Sequence, residues 1–261
     1  TIENADNKII YIEEGAVVKA RINVINSDNF TVRGRGVLLD SRSEHSTSGI
    51  LAFHNSSNIK VEDITIGVSN HHMIKMYNVK DSEIHNIKEA AGVSNTDGIT
   101  ITSGCNNILV DDCFIAVNDD SIVLNVDSAE QDGMDNIRYQ NLVIANRTNG
   151  YKFSFRSYTY GFAKNITFKN IYGIQSPGSY GFMKTSYKDP CGIWLHRLEN
   201  LLFENIYIEN TSNRTLMNYT SMTVTDGEEK QTSLTDYGHI TFKNVYHENK
   251  PTIAAPDNMY I

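Results

Sequence analysis

The feature that most constrains this chain is a short phrase that keeps returning. A polar residue, then an apolar-x-apolar alternation, then Asn, Asp or Gly reads NFTVRG at 29–34, NIKVED at 58–63, SEIHN at 82–86 and NILVDD at 107–112. It continues as NIRYQN at 136–141, NITFKN at 165–170, NLLFEN at 200–205 and HITFKN at 239–244. Its closing residues are Gly34, Asp63, Asn86, Asp112, Asn141, Asn170, Asn205 and Asn244, so successive gaps are 29, 23, 26, 29, 29, 35 and 39. A second alternation precedes most copies: GILAF at 49–53, MIKM at 73–76, GITI at 98–101, SIVL at 121–124, YKFSF at 151–155 and GIWL at 192–195. Alternation with period two is a strand signature, and no long segment keeps a clean helical period. Two or three short strands per repeat describe an all-β parallel β-helix, in which coils stack about 4.8 Å apart and variable gaps are loops inserted at one corner. A sandwich or propeller would want regularly recurring tight-turn pairs. Asp97-Gly98 and Asn149-Gly150 do not recur in that way.

The repeat sets a register, and the register sets a candidate site. Aligning Ile99-Thr100-Ile101 with Ile122-Val123-Leu124 puts Asp97 and Asp120 in one position, 120 − 97 = 23 residues apart, on neighbouring coils. Asp119 then falls opposite Thr96. Aligning Ile74-Lys75-Met76 with the same strand puts His72 below Asp97, with His71 and Asn70 beside it. One coil onward the equivalents are Asn149 or Tyr151, with Lys152 and Arg156 nearby. Three carboxylates on one stripe repel one another, which favours one protonated and one ionised carboxyl. That split is what a glycosidase requires, one group to protonate the leaving oxygen and one to activate water. Oxygen ligands converging in this way also suit calcium. Incidental surface aspartates are the plainer alternative.

Composition removes other classes. The chain has 261 residues, a net charge of −8 and no basic patch, so a nucleic acid is not expected as partner. No apolar run approaches the ~18 residues of a membrane span. Three cysteines, Cys105, Cys113 and Cys191, lack metal-ligand spacing and read as small buried apolar residues. Sequons begin at Asn29, Asn55, Asn146, Asn165, Asn210, Asn213 and Asn218. At Asn165 the pattern is equally that of a turn entering a strand. The whole of 1–261 reads as one domain. The run at 7–25 is already strand-like, and a β-helix end needs a cap. The sequence therefore leaves room for an N-terminal cap or further domain outside this chain.

NTDGITITSGCNNILVDDCFIAVNDDSI, at 95–122, resembles the clan of inverting glycoside hydrolases that holds polygalacturonases, dextranases and isopullulanases. The opening IYIEEGAVVKA, FTVRGRGVLLDS and VSNHHMIKMYNVKDSEI are similar to that clan's earlier coils, so the resemblance covers most of the chain. It implies a right-handed, pectin-lyase-like β-helix, secretion to the extracellular space or periplasm, a polysaccharide or oligosaccharide substrate and no cofactor or metal. It implies Asp119 as general acid, with Asp97 and Asp120 as the pair holding and activating water. Substrate contacts are expected from His72, Asn95, Asn149, Tyr151, Lys152, Arg156 and Lys184. The chain departs from the polygalacturonase pattern in three places. Asn149 or Gly150 stands where a Gly-His-Gly histidine would be, Phe182 stands near the arginine of an Arg-x-Lys pair, and Asn125 replaces a lysine. These losses favour a neutral α-glucan over an acidic polymer. A calcium-dependent lyase and a non-catalytic glycan-binding β-helix are the competing functions.

Overall fold

A computed structural model describes residues 1–41, 48–67, 72–92, 95–126, 133–146, 150–157, 161–174, 181–187, 196–209, 215–220, 223–226, 229–232, 236–237, 239–247 and 252–253. Among these residues every regular element is a strand. All but one hairpin, Thr223–Asp226 with Glu229–Thr232, belong to one continuous sheet in which neighbouring described strands run parallel. The sheet winds as a right-handed parallel β-helix with three faces.

The first face stacks Ile22–Ile25, Leu51–Ser57, the start of Ile74–His85, Ile99–Thr102, Ile122–Val126, Tyr151–Ser157, Gly181–Tyr187 and Thr215–Thr220. The second carries the recurring phrase, from Thr31–Arg33 through Asn106–Asp111 to Ile240–His247. The third runs from Val17–Lys19 through Lys88–Ala90 and Phe114–Val117 into the ends of the long second-face strands. The register read from sequence holds: Ile74 pairs with Ile99, Ile99 with Ile122 and Ile122 with Phe153. One expected strand differs. The first-face strand above Tyr151–Ser157 is Gly181–Tyr187, and GIWL at 192–195 lies outside the described residues.

Parallel in-register stacking puts like side chains over like. Inside, Tyr139, Phe168, Phe203 and Phe242 form a ladder with centroids 5.1, 4.7 and 5.2 Å apart and nearly parallel rings. Outside, Tyr172, Tyr207 and Tyr246 stack at 5.2 and 5.0 Å. Cys105 and Cys113 are buried free thiols, as expected of small apolar residues. Cys191 lies outside the described residues.

The closing residue of every phrase has positive φ: Gly34, Asp63, Asn86, Asp112, Asn141, Asn170, Asn205 and Asn244. Asn and Asp tolerate that left-handed corner better than other side chains. Their amides then bond along the axis. Asn170 donates to Asn141 at 3.0 Å and accepts from Asn205 at 3.1 Å, and Asn244 continues the ladder onto Asn205. Asn165 serves a second ladder, donating to Asp135 and accepting from Asn200, which accounts for the pattern at that sequon. We expect Asn170→Ala to lose both bonds and strain the corner, at a cost of about 2–4 kcal/mol. Asn170→Gly keeps the φ freedom and should cost roughly half as much. Urea midpoints for both variants against the wild type measure this: a wild-type midpoint in Asn170→Gly would count against the ladder, and equal midpoints in the two variants would count against the strain at the corner.

Candidate active site

The corner where the third face passes into the first carries the acidic turns. Four successive coils meet there through backbone bonds. Met73 N–H donates to Asp97 O at 2.8 Å, Gly98 N–H to Asp120 O at 2.9 Å, and Ser121 N–H to Tyr151 O at 2.9 Å. Asp97 therefore sits directly above His72 and directly below Asp120. Thr96 joins the same two coils: its carbonyl accepts from Asp119 N–H and its hydroxyl from Asn118 N–H, both at 3.2 Å.

This stacking gathers the three carboxylates. One oxygen each of Asp97, Asp119 and Asp120 lies within 4.8 Å of the others. Asp97 and Asp120 are buried, whereas Asp119 is half-buried and faces out. Each is held by a donor or a nearby ring nitrogen. The Asp120 carboxylate accepts Tyr151 N–H at 2.6 Å, and the Asp119 carboxylate accepts Asp120 N–H at 2.9 Å. His72 Nδ1 lies 3.3 Å from Asp97 Oδ2 and 2.6 Å from Thr100 Oγ1. An all-oxygen set of this kind can activate water between fixed carboxylates or hold a hard divalent cation.

Glycines make the close approach possible. Gly150 has φ +83°, and an added Cβ would lie 2.2 Å from the Asp119 carbonyl carbon and 2.5 Å from Asp120 N. Only glycine lets that coil rest on the Asp119-Asp120 peptide. At Gly98 a Cβ would lie 2.3 Å from Ser121 O and 2.9 Å from a Glu89 carboxyl oxygen. Glu89 points into the solenoid between Ile66 and Ile115, fully buried, with neither oxygen hydrogen-bonded among the described residues. Burial pushes its carboxyl well above the usual range, toward the neutral acid.

The expected substrate contacts divide. Among them, His72 is half-buried beside Asp97, and Asn95 is exposed in the turn just before the acidic cluster. Tyr151 is the register equivalent of Asp120, but its side chain is buried and its role here is the backbone N–H. Lys152 is a correction: its side chain is wholly buried in the solenoid and does not face a substrate. At this corner two successive residues turn inward, as Ser121 and Ile122 do one coil below, so simple alternation misplaces it. Arg156 lies on the first face over Asn125, and Lys184 over Ser154. His71 and Asn149 lie outside the described residues. Thr96, Gly98 and Gly150 were missed as site-builders. Thr96 carried a signal, since the register already set it opposite Asp119.

No family model and no curated protein matches the sequence. Solved structures do. An exopolygalacturonase from Thermotoga maritima superposes with TM-score 0.69 at 14% identity, over 94% of this chain and 65% of that one. This chain thus spans slightly less than two thirds of that enzyme's length. A polygalacturonase from Erwinia carotovora superposes with TM-score 0.55 at 11% identity, over 99% of this chain and 84% of that one. Both likenesses extend over nearly the whole chain, and together with the strand register they identify its fold as the right-handed parallel β-helix of the pectin-lyase-like class.

Proposed function

We propose that this protein is a glycoside hydrolase that cleaves an α-linked polysaccharide with inversion. One observation carries the reading: three aspartates from two neighbouring coils, held by backbone donors and a histidine, bring their oxygens within 4.8 Å. A purely structural role gives no account of three acids stacked against their own repulsion. Asp119, the most open, suits the general acid that protonates the leaving oxygen. Asp97 and Asp120, buried and fixed, suit the pair that orients water and takes its proton. Carboxyl separation taken alone points the other way, since inverting pairs usually stand about 6.5–9.5 Å apart. Inversion here rests on the resemblance of the NTD and NDD turns, and proton NMR of the first-formed anomer decides it.

A neutral glucan is the substrate class ahead of an acidic polymer. Lys152, which follows Tyr151 on the coil above the acidic corner, is turned into the core and cannot grip a carboxylate on a substrate. An acidic substrate, like those named for the two solved structures above, is the alternative, and it would need Arg156 or Lys184 at the sugar. The oxygen cluster also favours one further reading, a calcium-dependent lyase. Reducing-end release from dextran, pullulan and polygalacturonate, with and without EDTA, tests all of these. The expected result is release from one neutral glucan, unchanged by EDTA. EDTA-sensitive formation of unsaturated products would move the assignment to a lyase. Glycan binding with no new ends would make the protein a binding module.

A further inference from the structure

Lys152 is an ionisable residue that the reaction above does not use. It is wholly buried, on a strand whose preceding residue, Tyr151, supplies the N–H that fixes Asp120. The fold makes room for it. On the third face, Ile144, Gly173 and Ile208 stack in register, and the glycine interrupts an apolar column. A Cβ at Gly173 would lie 2.6 Å from Lys152 Cε and 2.9 Å from Cδ. The missing side chain is therefore the space the lysine stem occupies. Directly above, Glu209 N–H donates to Gly173 O at 2.9 Å, and the Glu209 carboxylate accepts the Tyr172 hydroxyl. Glu209 is the charge that acts on the lysine.

We propose that Lys152 is a positioning residue: drawn toward Glu209 across Gly173, it fixes the start of the Tyr151–Ser157 strand and through Tyr151 N–H holds the Asp120 carboxylate in place. Burial pulls its ammonium down, and with the opposing pull of Glu209 included it lies at about 8. An apolar residue would suit this interior better for stability, so the lysine sets a geometry at the fold's expense. Its part in catalysis rests on the hydrolase reading, but the link to Asp120 does not.

The test uses Lys152→Met and Glu209→Gln in the full chain, read by amide hydrogen exchange and by kinetics. Both variants should lose about 10-fold or more of the exchange protection at Tyr151 N–H, while Phe153 and Ile122 amides stay as in the wild type. A uniform loss along the strand, or no loss at Tyr151, would overturn the proposal whatever the enzyme does. On a cleaved glucan, kcat should fall about 10- to 100-fold with KM within about 2-fold, the cost of a small misplacement. The double variant should be no worse than either single one. Wild-type kcat in Lys152→Met would equally overturn it. A wild-type protein that cuts no glycan refutes the hydrolase reading only, and the exchange result still decides the link. Stability supplies a sign check. The lysine's folded value lies below its unfolded 10.5, so between pH ~8 and 10.5 the unfolded chain binds more protons, and this residue's contribution rises with pH. Lys152→Met should have the higher Tm at pH 7, and the gap should close toward pH 10.5. Cys113, whose thiol burial pushes up to about 12, and Tyr139, also raised by burial, act oppositely but are common to both proteins.

Discussion

Asp119→Asn is expected to remove about 10²–10⁴-fold of kcat, the range that a positioned general acid contributes. The fold should be untouched. The asparagine keeps the side-chain oxygen that accepts Asp120 N–H, and it removes one of three carboxyl groups crowded within 4.8 Å. Circular dichroism and the urea midpoint should match the wild type or exceed it slightly. Asp119 is the half-buried member of the set, so its exchange opens no cavity. Activity above about a tenth of the wild-type value would remove Asp119 from the acid role. The remaining carboxylates would then need a different division of labour, because Asp97 and Asp120 are both buried behind it.

Gly150→Ala is expected to be the most damaging change away from the carboxylates themselves. A Cβ there would sit 2.2 Å from the Asp119 carbonyl carbon, 2.5 Å from Asp120 N and 2.6 Å from the Asp119 oxygen. All three are backbone atoms, so no flexible side chain can yield. The φ of +83° adds strain of about 1–2 kcal/mol for any residue with a Cβ. The coil must lift, and Tyr151 N–H, next in the chain, moves away from Asp120. A displacement near 1 Å costs about 100-fold in rate. We expect kcat to fall by at least that factor, with a lower urea midpoint. A variant with wild-type kcat and midpoint would show that this coil does not support the acidic corner.

The fold was largely legible because a β-helix repeats its information. The phrase ending at Asn170 and the phrase ending at Asn205 share one register, one positive φ and one amide ladder, so each copy supports the reading of the next. The stacking of Asp97 over His72 and under Asp120 followed from aligning Ile74, Ile99 and Ile122 alone. The corners were less legible. The register sets Lys152 near the acidic corner, where a substrate contact is expected, whereas the bend turns it and Phe153 both inward. Gly173, which accommodates the lysine, lies on another face of the solenoid, and no local pattern couples the two. By the resemblance, Asn149 or Gly150 stands where a histidine would be, which says nothing of what Gly150 itself supports. Its structural necessity comes from contact with the Asp119-Asp120 peptide on another coil. Glu89 carried no signal, since KEA at 88–90 gives no hint that its middle residue lies in an isoleucine column.

The central claim is that the acidic corner adds water across a glycosidic bond. The most direct measurement is mass spectrometry of the products formed from the glucan panel in ¹⁸O-water, by the wild type and by Asp119→Asn. Saturated oligosaccharides carrying one ¹⁸O at the new reducing end, formed by the wild type and lost in the variant, are the predicted result. Unlabelled, unsaturated products, or labelled products made equally well by the variant, would contradict it.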